Sequence, residues 1–357
     1  MKILIMGAGA GGAAAVAELS NAGHVVSLWN RSAETLAPFQ KLGGIRYEGV
    51  LGSGIAVPHL ITPGIHSAIA DAEIAVVTLP TISHAPVAQA LADAGWGNRP
   101  VILNPGHTGG ALEFAHVYGS RQTVPPIAEF STLTYVARKY QPDTVTISGR
   151  AKHLRAASLP GGEGALTLAC SLFPGATPVR DVLFSGLCNL NMVLHAPGAI
   201  LAGAWVEARR GDFTFYVEAM TPGVTRVMRE LDRERQTVAL AFGHEVPSVI
   251  DEMKLVGTVD MSADSNDFSA AISGGEANKK LKAPDSLKHR YYREDFGHGL
   301  LPFLALADIA KVRTPVADSL FRLATVFCGD DFSRTGRTAQ SMGIEGLSKS
   351  QLIEKVR

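Results

Sequence analysis

Two stretches in the second half of the chain combine residue types that transfer protons and bind carboxylates. Asn191 and His195 are four residues apart, so a helix would place both side chains on one face. Arg290 and Asp295 lie in a charge-dense segment further along. A histidine paired with a carboxylate is the usual proton-transfer unit, and an arginine offers a planar fork for a substrate carboxylate. The structural alternative for His195 is a buried core histidine on an apolar helix.

A glycine-rich turn near the N-terminus has the spacing of a dinucleotide-binding motif. It follows a short apolar strand, Lys2–Met6, and precedes a helix of small residues and a second strand, Val25–Trp29. We expect Gly7 to allow the tight turn, Gly9 to admit a pyrophosphate, and Gly12 to let the helix approach the strand. The predicted cofactor-binding residues of this turn are Gly7, Ala8, Gly9, Ala10, Gly11 and Gly12.

The end of the second strand bears on which nicotinamide cofactor is bound. NAD-specific domains carry an acidic residue there for the ribose 2′-hydroxyl, whereas this chain has Asn30, Arg31 and Ser32. An arginine binds a 2′-phosphate that a carboxylate would repel. We therefore predict a preference for NADP, with NAD as the alternative. Asn30 and Ser32 have a structural alternative as helix caps.

Later strands should border the same cofactor. Ile74–Leu79 is a buried strand that ends at Pro80, and Pro100–Leu103 is another that ends at Asn104. Ligands of open α/β sheets bind at the carboxyl ends of the strands. Leu79, Pro80 and Asn104 are therefore predicted to contact the cofactor.

The repeated strand–helix units predict an α/β chain with a Rossmann-type doubly wound, mostly parallel sheet in its N-terminal part. Within it, Gly44–Thr62 has the pattern of a small hairpin, and Thr123–Ile127 that of a short strand followed by a loop at Glu129–Thr132. Thr134–Arg138 and Thr144–Ser148 are expected to pair and to finish the sheet.

Strand patterns almost vanish after residue 180, and helical apolar periodicity takes their place. We predict an NAD(P)-binding domain over residues 1–180 and an all-α substrate domain over 181–357. Pro197 and Gly198 should interrupt the helix that carries His195, and the polar stretch Ser262–Leu287 should be irregular. The predicted helices are Val182–Arg210, Val217–Ala241, Val246–Val256, Leu301–Val312 and Ala317–Phe327.

Composition excludes several classes of protein. The 33 basic and 33 acidic residues cancel, which argues against a nucleic-acid or anionic-surface partner. No uninterrupted apolar run is long enough for a membrane span. The 3 cysteines are scattered without metal-ligand spacing, so we expect no metal site and reduced thiols in a cytoplasmic protein.

The chain resembles the opine dehydrogenase family of the octopine/nopaline type, which includes bacterial carboxyethyl-amino-acid dehydrogenases. The resemblance runs nearly from end to end, and its segments occur in the family's order, so it is more specific than any one motif. The segments that carry it are Gly7–Gly9, Asn104–Phe114, Glu129–Arg138, Asn189–His195, Tyr216–Pro222, Arg290–Asp295 and Asp331–Thr338.

The resemblance implies roles for individual residues. His195 matches the family's proton-transfer residue, and Asp295 completes the dyad. Arg290 matches the arginine that binds the substrate carboxylate, and Thr132 lies in the loop near the keto acid. Relatives commonly have proline directly after the histidine, whereas Ala196 intervenes here.

The implied reaction is the reductive condensation of an L-amino acid with a 2-keto acid, pyruvate or 2-oxoglutarate, by a homodimer. The runner-up is a 2-keto acid reductase like ketopantoate reductase, which uses a lysine on the corresponding helix. This chain has no lysine between Lys152 and Lys254. A non-catalytic NADP-binding protein is the third possibility.

Overall fold

The computed structural model describes residues 1–275 and 278–357. They form two compact units, one comprising Met1–Gly106 and Gly110–Val182, the other His107–Gly109 and Leu183–Arg357. The grouping of His107–Gly109 with the helical residues was not predicted. Among the described residues no single helix is long and apolar enough to cross a membrane; Val182–Leu201 and Gly203–Arg209 reach that length only as a pair bent by 66°.

An eight-stranded sheet is the core of the first unit. The strands of this unit are β1 (Lys2–Met6), β2 (Val25–Trp29), β3 (Ile45–Gly49), β4 (Gly54–Ala56), β5 (Leu60–Thr62), β6 (Ile74–Val77), β7 (Val101–Leu103), β8 (Ile127–Phe130), β9 (Tyr135–Gln141), β10 (Thr144–Arg150), β11 (Leu154–Ser158) and β12 (Ala176–Pro178). The order of the eight-stranded sheet is β12-β11-β8-β7-β6-β1-β2-β5, and every neighbouring pair is parallel except β8 with β11. The predicted doubly wound, mostly parallel sheet is confirmed.

The central strands are apolar throughout because helices cover both faces of a parallel sheet. Every residue of β6 and β7 is buried. The helices of this unit are α1 (Ala10–Asn21), α2 (Ala33–Leu42), α3 (Ile65–Ile69), α4 (His84–Asp93), α5 (Gly110–Gly119) and α6 (Glu163–Leu172).

Two strand predictions were wrong. The hairpin β9–β10 forms, but it belongs to a separate four-stranded sheet, β4-β3-β10-β9, because β10 pairs in parallel with β3. It therefore does not finish the main sheet. The strand expected at Thr123–Ile127 begins only at Ile127 and includes Glu129 and Phe130. Pro125 and Pro126 lack the N–H groups that a sheet requires.

The second unit is helical in its described residues, apart from one isolated bridge between Thr214 and Lys282. A π-helical turn, Phe296–Leu300, directly follows the α-helix Arg290–Asp295. The α-helices are α7 (Val182–Leu187), α8 (Asn191–Leu201), α9 (Gly203–Arg209), α10 (Phe215–Glu218), α11 (Pro222–Ala241), α12 (Val249–Val256), α13 (Phe268–Gly274), α14 (Arg290–Asp295), α15 (Leu301–Ala310), α16 (Pro315–Cys328), α17 (Phe332–Thr335) and α18 (Lys349–Lys355).

The predicted break after His195 is wrong, because α8 continues through Pro197 and Gly198 to Leu201. An internal proline costs roughly 3 kcal/mol, but Met192 to Ala199 are all buried, and tertiary packing outweighs that cost. Gly198 is needed for packing: an added Cβ would lie 2.8 Å from Cζ of Phe215. His195 is thus held in the middle of a buried helix.

The stretch Ser262–Leu287 is only partly irregular, since it contains α13. Asp267 begins this helix because its carboxylate accepts the N–H of Ala270 at 3.0 Å. Glu276 and Ala277, within the same stretch, lie outside the described residues.

A buried ion pair joins three helices of the second unit. Arg235 on α11 is fully buried and donates to Oδ1 of Asp232 at 2.8 Å and to the carbonyl of Leu187 at 2.7 Å. Oδ2 of Asp232 accepts the N–H of Val249, the first residue of α12, at 2.9 Å. Each charge is therefore matched, which burial demands.

We predict that Asp232→Ala lowers the free energy of unfolding by about 3–5 kcal/mol, because it leaves the Arg235 guanidinium buried without its counter-charge. Urea titration followed by circular dichroism measures this. Glu230→Ala is the matched control, since Glu230 pairs with Arg233 in solvent on the same helix. It should cost about 0.5 kcal/mol or less; equal losses in the two variants would contradict the buried-pair explanation.

Candidate active site

The glycine-rich turn between β1 and α1 has the geometry of a dinucleotide-binding loop. Gly7 has φ +122°, and an added Cβ on Gly12 would lie 1.8 Å from the carbonyl oxygen of Gly7. The fold itself therefore requires both glycines. An added Cβ on Gly9 would meet no heavy atom within 4 Å, and no side chain caps the start of α1. Open space beside uncapped helix amides fits a bound pyrophosphate.

Side chains from neighbouring elements hold this turn in place. The hydroxyl of Thr78 donates to the carbonyl oxygens of Met6 and Gly7 at 3.2 and 3.4 Å. Oδ1 of Asn30 accepts the N–H of Ala8 at 3.2 Å. Asn30 thus supports the loop directly, a contact that its position at the end of β2 made possible.

The residues after Asn30 have separate surroundings. The hydroxyl of Ser32 accepts the N–H of Thr35 at 3.2 Å and caps α2, as its structural alternative proposed. Arg31 is exposed. Lys139 on β9 lies 3.5 Å from the carbonyl of Ala8, so a second cation borders the loop. Lys139 was not predicted to lie near the loop, because its strand, β9, belongs to the second sheet and not to the main one.

Two buried polar atoms in the segments that follow β6 and β7 have no hydrogen-bond partner among the described residues. They are the hydroxyl of Thr81 and Nδ2 of Asn104. Oδ1 of Asn104 accepts both the N–H and the hydroxyl of Thr134, which fixes the orientation of the amide. Buried polar groups are normally satisfied. Two unsatisfied ones in these segments fit contacts to a bound cofactor.

The other predicted residues of the first unit have less specific surroundings. Leu79 is half-buried and lies against Gly7, since an added Cβ on Gly7 would be 2.9 Å from its Cγ. Pro80 is exposed. Thr132 is half-buried in the loop after β8, next to Ser131, whose N–H donates to the carbonyl of Arg155 at 2.9 Å.

The structure brings His195 and Asp295 together across 100 residues of sequence. Nδ1 of His195 lies 2.7 Å from Oδ2 of Asp295, and the two residues are 6% and 3% exposed. A carboxylate only accepts, so the neutral ring carries its proton on Nδ1 and keeps the lone pair on Nε2. Asp295 ends α14 directly before the π-helical turn, a kind of irregularity that often accompanies functional sites.

Aromatic rings surround this pair. Tyr291 stacks on the imidazole of His195, with ring centroids 3.9 Å apart and an interplanar angle of 15°. The hydroxyl of Tyr216 lies 2.6 Å from Nε2 of His195. Burial, together with Tyr291, raises the pKa of Tyr216 well above its usual value, so the phenol is neutral. Tyr216 begins a segment that carries the family resemblance, but it was not predicted as a site residue, because nothing in its spacing relates it to His195.

Charged groups of α14 border the same rings. Arg290 begins the helix, and its guanidinium carbon lies 5.7 Å from the centroid of Tyr291. Burial alone would lower the pKa of Arg290, but Glu294, Tyr291 and Asp295 raise it overall. His289 caps the helix by accepting the N–H of Tyr291 at 3.3 Å. Burial and the charge of Arg290 lower the pKa of His289 to about 4, which keeps its accepting nitrogen free of a proton.

The turn after β7 adds another histidine to this electrostatic environment. His107 is buried and has φ +59°, a strained value for a residue with a side chain. Burial lowers its pKa to about 4. The charges of Arg337 and Arg290 also lower this pKa, whereas the charge of Asp295 raises it. Arg337 donates to the carbonyl of Thr108 at 2.7 Å and anchors the turn. In the sequence, His107 lies within the Asn104–Phe114 segment that carries the family resemblance, and no role was predicted for it.

Asn191 lies one helical turn before His195, as predicted. It begins α8 and is half-buried, and its N–H donates to Oδ1 of Asn189 at 3.1 Å. Nδ2 of Asn189 donates in turn to the hydroxyl of Thr108 at 3.2 Å. The start of α8 is thereby tied to the turn that carries His107.

Comparisons with known proteins identify the family of this chain. A family model described as "NAD/NADP octopine/nopaline dehydrogenase, alpha-helical domain" matches residues 178–328. The opine dehydrogenase of Arthrobacter sp. (strain 1C) is 32% identical over an alignment that covers 99% of this chain and 98% of that protein. The chain belongs to the opine dehydrogenase family. It is an NAD(P)-dependent oxidoreductase.

Other proteins are similar to this chain in sequence or in fold. Vitopine synthase of Allorhizobium ampelinum is 22% identical, over 88% of this chain and 84% of that protein. Octopine dehydrogenase in complex with NADH and L-arginine has a TM-score of 0.79 at 18% identity, covering 99% of this chain and 98% of that one. Yersinopine dehydrogenase with NADP+ bound has a TM-score of 0.76 at 15% identity, covering 99% and 97%.

The N-terminal unit is also similar to another family. A family model described as "Ketopantoate reductase PanE/ApbA" matches residues 3–105. A ketopantoate reductase from Ralstonia eutropha has a TM-score of 0.61 at 19% identity, over 92% of this chain and 99% of that one. The two families therefore share the dinucleotide-binding fold.

The raised pKa of Glu294 predicts how the stability of the folded protein depends on pH. Burial raises this pKa from 4.5 to about 7, with Arg290 opposing the shift and Asp295 adding to it. Between these pH values the folded protein holds a proton that the unfolded chain has lost, so stability falls as pH rises through that window. Glu294→Gln should reduce this fall by an amount on the order of 1–3 kcal/mol.

Urea midpoints of both proteins at pH 5 and pH 8 measure the effect. Glu245→Gln, a change at an exposed position, is the control and should leave the pH dependence unchanged. If Glu294→Gln retained the full fall in stability between the two pH values, burial of that carboxyl would not be its cause.

Proposed function

We propose that this protein is an opine dehydrogenase that condenses an L-amino acid with a 2-keto acid, either pyruvate or 2-oxoglutarate. The product is a secondary-amine dicarboxylate formed through an imine. The observation that carries the proposal is the buried contact of 2.7 Å between His195 and Asp295, in a chain 32% identical to an opine dehydrogenase. Octopine dehydrogenase structures with L-arginine and with pyruvate make both substrate classes reasonable.

His195 is the proposed base. An amino acid carries an ammonium group at neutral pH, and only the free amine attacks the keto carbon. The proton passes to Nε2 of His195, and the resulting imidazolium is stabilised by the Asp295 carboxylate at Nδ1. The same histidine returns a proton when water leaves the carbinolamine to give the imine. Reduced nicotinamide, when bound, supplies the hydride that reduces this imine.

Arg290 is the proposed carboxylate ligand. Both substrates carry a carboxylate, and this arginine lies beside the ring that stacks on His195. Its pKa is raised by Glu294, Tyr291 and Asp295, so it stays charged throughout the working range of pH. Thr132 and Asn191 are proposed as further substrate contacts, from the family resemblance and from the helical spacing respectively.

We propose NADPH as the preferred cofactor, with NADH as the alternative. No carboxylate follows β2 to hold a ribose 2′-hydroxyl, and Arg31 is exposed beside Asn30, which contacts the glycine-rich turn. Lys139 adds a second positive charge near Ala8. Two cations near the loop would neutralise a 2′-phosphate.

The match of residues 3–105 to ketopantoate reductase supports a second candidate, a 2-keto acid reductase that uses no amine. Against it, α8 carries His195 where that family uses a lysine, and the chain has no lysine between Lys152 and Lys254. A protein that binds NADP without catalysis is the third candidate. The three candidate functions differ in which substrates must be present for NADPH to be oxidised.

The deciding experiment is a screen of L-amino acids against pyruvate and 2-oxoglutarate, with NADPH and with NADH. We expect cofactor oxidation only when an amine and a keto acid are both present, with an equimolar secondary-amine dicarboxylate identified by mass spectrometry. Oxidation with keto acid alone would establish the reductase instead. No oxidation in any combination, with NADPH still bound, would indicate a binding protein.

A second experiment tests the cofactor preference. Arg31→Ala should raise the KM for NADPH about 10- to 100-fold, the effect of losing a hydrogen bond to a charged phosphate, and leave the KM for NADH nearly unchanged. Arg121→Ala, which removes an exposed arginine paired with Asp93, is the control. Equal changes for the two cofactors would remove Arg31 from 2′-phosphate recognition.

A further inference from the structure

Both ring nitrogens of His195 are engaged. Nδ1 faces the Asp295 carboxylate at 2.7 Å, and Nε2 accepts the hydroxyl of Tyr216 at 2.6 Å. Tyr291 covers one face of the imidazole, and the ring is 6% exposed. The nitrogen that must take a proton from a substrate is therefore capped by a phenol.

The position of Tyr216 is itself fixed by its neighbours. Thr214 donates to Oε2 of Glu218 through its N–H at 2.6 Å and its hydroxyl at 2.9 Å, which closes the first turn of α10 around the tyrosine. The N–H of Phe215 donates to the carbonyl of Leu281 at 3.0 Å. These bonds fix the backbone of Thr214 and Phe215 directly before Tyr216. The phenol is therefore held next to Nε2 of His195.

We propose that the hydroxyl of Tyr216 carries the proton between the substrate amine and Nε2 of His195. This inference rests on the proposed function. In one concerted step the ammonium N–H bond breaks and its proton joins the oxygen of Tyr216, while the original hydroxyl proton moves to Nε2. The amine becomes free, the phenol is regenerated, and the imidazolium forms beside Asp295. No oxidant or further reactant takes part.

The chemistry of the phenol suits this task. A hydroxyl donates one proton and accepts another through its lone pairs, so it can exchange protons without gaining a net charge. Burial raises the pKa of Tyr216, which opposes a lasting phenolate. A direct contact between the amine and His195 would instead require Tyr216 to leave Nε2. The two routes predict opposite effects of deleting the hydroxyl.

Tyr216→Phe is the decisive variant, because it removes the hydroxyl and keeps the ring. If Tyr216 relays the proton, kcat for condensation should fall about 100-fold or more, while the KM values of both substrates and the Kd of NADPH change less than about 3-fold. A kcat within about 3-fold of wild type would overturn the relay. A rise in KM at constant kcat would overturn it too, and would make Tyr216 a substrate ligand.

Tyr292→Phe is the matched control. The hydroxyl of Tyr292 is also buried, but it donates to the carbonyl of Ala199 at 2.9 Å and not to an imidazole. A loss of activity equal to that of Tyr216→Phe would mean that any buried hydroxyl deletion disturbs the unit, and would overturn the specific role.

A second measurement does not depend on turnover. Nitrogen NMR of the enzyme labelled at histidine should show that Tyr216→Phe shifts the Nε2 resonance of His195 and leaves Nδ1 bound to Asp295. An unchanged Nε2 resonance would overturn the contact on which the relay depends. If the wild-type protein oxidised NADPH in no substrate combination, the proposed function would fail, and the NMR result would still decide whether Tyr216 caps the imidazole.

Discussion

The buried carboxylate of Asp295 is the constraint on which the helical unit depends. A carboxylate removed from water costs several kcal/mol unless it is hydrogen-bonded or paired with an opposite charge. Nδ1–H of His195 donates that hydrogen bond to Asp295 at 2.7 Å. The helix that carries the histidine continues through an internal proline, and Tyr291 stacks on the ring. The same contact that satisfies Asp295 fixes the tautomer that makes Nε2 a base.

The first unit solves a different problem, which is to leave room for a ligand that the chain must approach closely. Gly7 and Gly12 are dictated by the turn and by the packing of α1 on β1, but nothing in the protein fills the space beside Gly9. Thr78 and Asn30 hold the loop around that space. Gly7 and Gly12 are therefore required by the fold, whereas the space beside Gly9 is available to a ligand.

Much of this fold follows from local sequence. Apolar runs such as β6, and the glycines after β1, indicate a parallel dinucleotide-binding sheet without any long-range information. The wrong predictions concern places where residues distant in sequence determine the structure. Strand β10 pairs with β3, about a hundred residues earlier. Pro197 remains helical because the residues around it are buried. In the site, residue types singled out the two stretches that contain His195 and Asp295, and the family resemblance implied their roles. Tyr216 and His107 depend on tertiary placement, which no spacing rule contains.

Turnover of His195→Ala, compared with its affinity for NADPH, tests the central claim most directly. If His195 moves the proton that frees the amine, kcat should fall by about 10²–10⁴-fold or become undetectable, while the Kd for NADPH stays close to that of the wild-type protein. Wild-type turnover in this variant, with an amine and a keto acid both required, would contradict the account and assign the chemistry to another residue.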